Sequence, residues 1–448
     1  MSKLIDYLES INLLSEQELW DYICENDIET LDTLIIYLRR LIDEDFQISE
    51  YTPFTFVPNA DISGTGGCNE ISCRMSRAQK FAVFSALYAD KVYIQLQFIT
   101  DEHYDFCDID EIEADEELSL NFRMALLSDL IMILVYAQLI KNKIVFITPS
   151  HQMLCPACFQ RELFGNEIVD IENITSEYLE RAHLILRNYD KENNEAQLTI
   201  DGIKEFFPDH DLFWNIRDRE ELDLLKYEKV GAVVQNKKYA NEFISDFIKS
   251  EITAAMYSTK YCYEQHAKLI TNKLSDAMFL SLNRDSSIAE VENYTKMLPE
   301  YDLLITHNLS LKNVIRLRKE EEESFNKYRI ALNKAIKEQN NATNVTDWKA
   351  IYDDIVYPQF NNLDLKMKQI KQGRLNRFFG SMIVIGTSLI VSKFGNSIVP
   401  NVFSNVDSFK TTIGAAGVNY ILDKSSTKKA DLQNNDYFFL WKLKQKSK

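Results

Sequence analysis

Val92-Tyr-Ile-Gln-Leu-Gln-Phe98 carries apolar residues at 92, 94, 96 and 98, the period-two pattern of a β-strand. Asp101–Glu117 follows with ten acidic residues and no Lys or Arg. Met124–Ile140 is then nearly continuous apolar sequence, and Ile144–Ile147 returns as a short apolar run after Lys141-Asn-Lys143. A strand, an acidic loop, a buried helix and a second strand make one mixed α/β module. The apolar helix has Asp129 inside it and only 17 residues, at the lower limit for a membrane span, so it is expected in a protein core.

Upstream, Thr55–Val57 reads as a further strand and Ser76–Tyr88 as a helix. Residues 3–50 read as two or three short helices, one of them opened by the capping box Ser15-Glu-Gln-Glu18. Downstream, residues 170–345 are expected to be mostly helical, with amphipathic patterns over Glu177–Asn188, Ala240–Ser281 and Leu317–Glu338. On the last of these, Phe325, Tyr328, Leu332 and Ile336 share a face, and Glu323 and Lys327 form an i,i+4 pair. The polar stretch Asn340–Thr346 reads as a linker. The fold class is therefore α+β and predominantly helical. The expected domains are a mixed α/β module with a Cys-x-x-Cys over 1–165, a helical domain over 166–345 and a C-terminal helical unit over 346–448. The last is basic, apolar and spaced by glycines.

Charge separates that unit from the rest. The chain has a formal net charge of −18, but Leu365–Lys448 holds 14 Lys and Arg against four acids, leaving the remainder at −28. An acidic body repels phosphate backbones, so nucleic acid is not expected to bind it. Six of the 12 glycines lie in the basic stretch. There Lys366, Lys368, Lys371, Arg374 and Arg377 precede the apolar run Phe378–Phe394. Phe438 and Trp441 stand in an aromatic and basic C-terminus. Basic residues beside a short apolar helix suit an anionic membrane, and these seven residues are the candidate membrane-binding set. The competing reading is a helical pair docked on the acidic body.

Seven cysteines at scattered spacings, with no apolar leader after Met1, point to reduced thiols and a cytoplasmic location, with the basic unit able to reach the inner face of the membrane. Cys155-Pro-Ala-Cys158 offers two thiolates for a structural zinc, and Cys68 and Cys73 are the natural further ligands, with His151 competing. Buried structural thiols and a redox pair are the other readings of the same residues. Ser63-Gly-Thr-Gly-Gly67 lacks both the Lys-Ser/Thr of a P-loop and the spacing and helix entry of a dinucleotide fingerprint, so it reads as a flexible loop. No complete catalytic motif is present, and no catalytic residue is assigned.

Four segments together carry a resemblance. They are Phe84-Ser-Ala-Leu-Tyr-Ala-Asp-Lys-Val-Tyr-Ile94, Leu154-Cys-Pro-Ala-Cys158, Leu317-Arg-Lys-Glu-Glu-Glu-Glu-Ser-Phe-Asn-Lys-Tyr-Arg329 and Tyr437-Phe-Phe-Leu-Trp-Lys442. In the order of these motifs the chain resembles a family of uncharacterised bacterial proteins of similar length. The resemblance implies a role in bacterial conflict, including phage defence, and brings no activity or catalytic residue. The expected function is a non-enzymatic cytosolic interaction or regulatory protein that binds a protein partner. One alternative is a membrane-active effector that inserts residues 366–422. The other is an enzyme whose site is assembled from distant residues, with zinc as its candidate cofactor.

Overall fold

A computed structural model describes residues 2–46, 52, 54–66, 68, 70–100, 109–149, 170–207, 212–276, 295–296, 311–343, 346–347 and 357–358, with single positions at 436, 439 and 442. The protein is mixed α/β and predominantly helical, as its patterns predict.

Three helices open the chain: α1 (Lys3–Ser10), α2 (Glu16–Glu25) and α3 (Ile28–Asp45). Ser2, Ser15 and Asp27 cap them by accepting from backbone N–H groups of the first turn. Ser15 Oγ accepts from the Glu18 N–H and donates to the Glu18 carboxylate at 2.7 Å. Leu31, Leu34, Ile35, Leu38, Leu41 and Ile42 of α3 are buried, the i, i+3, i+4, i+7 stripe of a core-facing helix.

β1 (Thr55–Pro58), β2 (Lys91–Ile94) and β3 (Val145–Ile147) follow. The short helix α4 (Ala60–Ser63) and the long helix α5 (Ile71–Tyr88) connect β1 to β2. After β2 come α6 (Ile109–Ala114) and α7 (Glu116–Lys141), the latter leading to β3. All three strands pair in parallel, with Phe56 opposite Val92 and Val92 opposite Val145. α5 packs on one face of the sheet, Phe84 against Phe56, and Phe46, Tyr261 and Cys262 cover the other face over Val57, Tyr93 and Phe146, so Val92, Tyr93 and Ile94 are all inaccessible to solvent. By length and composition α7 could cross a membrane, but half of its apolar window is buried and it packs against α2 and α5.

The middle of the chain departs from the helical expectation. After α8 (Ile171–Leu179), β4 (His183–Asp190) and β5 (Glu195–Asp201) form an antiparallel hairpin. The edges are β6 (Trp214–Ile216) on β5 and β7 (Ala232–Val233) on β4, with α9 (Arg219–Leu225) between them in the chain. The helix predicted over Glu177–Asn188 thus ends at Leu179. Leu184 and Leu186 alternate inward with Ala196, Leu198 and Ile200 to form one buried face. That face closes on α10 (Lys237–Glu264) through Ile244, Ile248 and Ile252.

α10 stops at Glu264 rather than continuing to Ser281, and β8 (Lys268–Thr271) takes its place. β8 pairs in parallel with β1, Val57 opposite Leu269. β9 (Thr295–Lys296) and β10 (Thr346–Asp347) extend the parallel sheet to the order β10-β9-β8-β1-β2-β3. Counting only this sheet's strands in chain order, the arrangement is 3-2-1-4-5-6.

The domain division changes accordingly. In place of 1–165, 166–345 and 346–448, one compact unit comprises Met1–Asp302 with Gln339–Lys349, and a second comprises Leu303–Glu338 with Ala350–Lys448. The boundary near 165 disappears because β8 supplies the strand next to β1. The expected linker is also corrected: α12 (Glu322–Thr343), which follows α11 (Leu311–Glu320), runs through Asn340–Thr343, and Thr346 belongs to an edge strand. In the second unit Phe325, Tyr328 and Leu332 are buried as their spacing predicts, and Lys327 Nζ lies 2.7 Å from Glu323.

Candidate functional site

β1 and β8 are neighbours whose chains leave toward opposite sides of the sheet. β1 connects to β2 on one flank, and β8 leads to β9 on the other. The strand order thus reverses between β1 and β8, and their carboxyl ends are the topological switch point of the sheet, the place where open parallel sheets bind ligands. Two segments meet there, Asn59–Gly66 after β1, which contains α4, and Asn272–Asp276 after β8, whose last three residues are helical.

Asn59 joins them. Its N–H donates to the Ile270 carbonyl at 2.9 Å. Its side-chain amide lies 3.0 Å from Thr271 Oγ1, 2.9 Å from Asn272 Oδ1 and 3.0 Å from Asp276 Oδ2. Its Oδ1 accepts from Ile62 N–H and so caps α4. Thr271 Oγ1 donates to Asp276 at 2.5 Å, and Asn272 Nδ2 donates to Asp61 Oδ2 at 2.6 Å. Arg77 pairs with the other oxygen of Asp61. Asn59, Asp61, Asn272 and Asp276 are all buried. Two carboxylates, two amides and a hydroxyl thus converge from positions more than 200 residues apart in the chain. Lys273 Nζ, 2.5 Å from Glu251 of α10, anchors the second segment to the helix beneath the antiparallel sheet. Burial raises the Glu251 carboxyl, and Lys273 opposes that shift.

The glycine-containing turn is packed in place rather than free. Gly64 has φ +71°, and a Cβ there would lie 2.3 Å from the Arg74 carbonyl oxygen, so only glycine lets the turn approach α5 this closely. Arg74 reaches back, its Nε donating to Gly64 O at 2.8 Å and its Nη2 to Thr65 O at 2.5 Å. Tyr136 of α7 donates to the Ser63 carbonyl at 2.7 Å. The loop that looked flexible, with no helix entry, in fact connects a parallel strand to its crossover helix.

Asp129 lies behind this turn. Its Oδ2 accepts from the Phe98 and Ile99 N–H groups at 2.8 Å each, and its Oδ1 is 3.8 Å from Arg74 Nη2. Burial pushes its carboxyl up to about 6, against the opposing pull of the two N–H donors and of Arg74. Burial likewise lowers the Arg74 guanidinium, and the Asp129 charge opposes it. One buried ion pair thus fastens the β1 turn, the β2 turn, α5 and α7 together.

The residues expected to hold zinc are only partly in view. Cys68 and Cys73 are half-buried free thiols, and the Cys73 thiol is raised first by burial and then by the neighbouring Cys68. Cys155, Cys158 and His151 lie outside the described residues. Among the described residues no group of three or more His, Cys, Asp or Glu is placed to hold a metal ion. The candidate membrane residues Lys366, Lys368, Lys371, Arg374, Arg377, Phe438 and Trp441 also lie outside them. Phe439 is described and fully buried in the second unit, its ring 4.9 Å from Phe325, and Lys442 pairs with Glu321. That part of the aromatic C-terminus is docked on the chain's own helix.

Asn59, Asp61, Asn272 and Asp276 carry no motif, and the sequence pattern assigned none of them a role. One local signal was present. Ala267-Lys-Leu-Ile-Thr271 is a short apolar run ending in Asn272, which suits a buried parallel strand better than the end of a 42-residue helix. No protein family, curated protein or solved structure matches the chain.

Proposed function

We propose that this protein binds a nucleotide, of the dinucleotide class, outside the carboxyl ends of β1 and β8. The observation that carries this reading is the coincidence of the 3-2-1-4-5-6 parallel order with a buried polar cluster at its switch point. The assignment to nucleotides is a fold-level analogy with doubly wound dinucleotide-binding folds of that strand order. The hydrogen bonds among Asn59, Asp61, Asn272 and Asp276 fix the carboxyl ends of the two strands together, and the Gly64–Gly66 turn brings backbone close to them. This deepens the expectation of a site assembled from distant residues. A protein with an acidic body that binds one small nucleotide is also suited to act as a sensor or regulator.

The test is thermal unfolding and titration calorimetry of the full chain with NAD+, ATP and adenosine. Saturating ligand at 100 times Kd is expected to stabilise the fold by about 3 kcal/mol. Asn272→Ala is expected to weaken binding at least tenfold, and its ligand-free unfolding midpoint measures what the lost bonds to Asn59 and Asp61 cost the fold. If millimolar NAD+, ATP and adenosine all leave both measurements unchanged, the reading fails.

A further inference from the structure

Cys68 and Cys73 stand side by side. Cys68 follows the glycine turn after β1, and Cys73 lies in the first turn of α5. Both thiols are free and half-buried, so a small solute can reach them. The two side chains are in hydrogen-bonding contact, and Cys68 also lies within electrostatic reach of the Arg74 guanidinium. The setting of Cys262 is different: it is wholly enclosed in the core with Val57 and Leu269. Two accessible thiols in contact suit thiol–disulfide exchange, whereas an enclosed cysteine is inert. Arg74, the residue after Cys73, holds the Gly64 and Thr65 carbonyls. A bond made at Cys73 therefore bears on the anchor of the glycine turn.

We propose that Cys68 and Cys73 form a reversible disulfide, with a low-molecular-weight disulfide such as glutathione disulfide as oxidant, and that this bond ties the end of the glycine turn to α5. The proposal is independent of the nucleotide reading. Burial and the neighbouring Cys68 hold the proton on Cys73, so Cys68 supplies the attacking sulfur. Its thiolate attacks one sulfur of glutathione disulfide, forms a mixed disulfide and expels one glutathione thiolate. Cys73 then gives up its proton and attacks the Cys68 sulfur, expelling the second glutathione. Two cysteine thiols lose two electrons, one disulfide is reduced to two glutathiones, and the two thiol protons end on them.

The experiment equilibrates the native full chain in glutathione buffers from fully reduced to fully oxidised, alkylates the remaining thiols and maps peptides without reduction. Cleavage at Arg40 and Arg74 leaves Cys68 and Cys73 as the only cysteines of residues 41–74. The expected result is a 41–74 peptide that is unalkylated, lighter by two hydrogens and restored by dithiothreitol. In Cys73→Ser, which lacks the second thiol, Cys68 should accumulate as the mixed disulfide with glutathione. Hydrogen exchange over residues 64–74 should slow in the oxidised protein, and an unchanged rate would overturn the tie to α5. Full alkylation of wild-type 41–74 in the oxidised buffer would overturn the disulfide itself. So would a bond from either residue to a third cysteine. Protection of both thiols that is lost on zinc chelation would make them metal ligands and overturn it too.

Discussion

At the scale of single residues, the carboxyl edge of the sheet depends on groups with no freedom to change. Gly64→Ala would place a methyl group 2.3 Å from the Arg74 carbonyl in a left-handed backbone conformation. A loss of about 2–4 kcal/mol is expected in urea unfolding, combining backbone strain with overpacking. Arg74→Met would leave Asp129 without its cation and the Gly64 and Thr65 carbonyls without a donor, with an expected cost of about 3–5 kcal/mol. Asp129 also gives stability a pH dependence of definite sign. Its folded-state pKa of about 6 lies above the ordinary carboxylate value, so the folded state holds the proton more tightly. The stabilisation from this group is full below pH of about 4 and is lost as the pH rises through about 6, a change on the order of 3 kcal/mol. Unfolding measured from pH 4 to 7 should show that fall in wild type, and Asp129→Asn should remove it.

At the scale of elements, pairing partners decided what local pattern could not. Residues 177–188 have helical spacing, yet the chain turns at Leu179 and becomes a strand at His183 because β5 lies ready to pair with it. Leu198 is fully buried at the centre of that face, and Leu198→Ala should cost about 2–5 kcal/mol by urea unfolding. Elements whose pattern was strong and local matched expectation. α3 and the face of Phe325, Tyr328 and Leu332 formed where their spacing placed them, while α5 and α7 end where expected but begin five and eight residues earlier, and Ile109–Ala114 of the expected acidic loop is helical. The alternation over Val92–Phe98 located a strand that ends at Ile94, and Tyr93 is as buried as its neighbours because a parallel strand covered on both sides has no solvent face. In the second unit, Phe439→Ala should loosen the cluster with Phe325 and Tyr328 by about 3–5 kcal/mol. A cost near zero would mean that this ring adds nothing to the unit.

At the scale of the whole molecule, the parallel sheet draws its central pair of strands from residues 55–58 and 268–271. The antiparallel sheet is thus an insertion between β3 and β8 rather than a separate downstream domain. Ligand binding at the switch point should leave a footprint with the same geography. Hydrogen exchange with saturating NAD+ is expected to slow in peptides covering residues 55–66 and 268–276, and to stay unchanged over 183–201. Slowing confined to the antiparallel sheet would place any ligand elsewhere and count against the switch-point site.

The amino-acid sequence by itself determined the helical bias, the mixed character of the first module, most helix positions and the acidic balance of the body. These depend on composition and on spacing within about 20 residues, where one turn of chain reports on the next. The strand order, the place of β8 and the meeting of Asn59 and Asp61 with Asn272 and Asp276 were decided only by the tertiary structure. A buried parallel strand has no amphipathic signature, and a pairing across more than 200 residues leaves no periodicity in the chain. The site is invisible to motif reading for the same reason: its residues share a sheet edge, not a stretch of sequence.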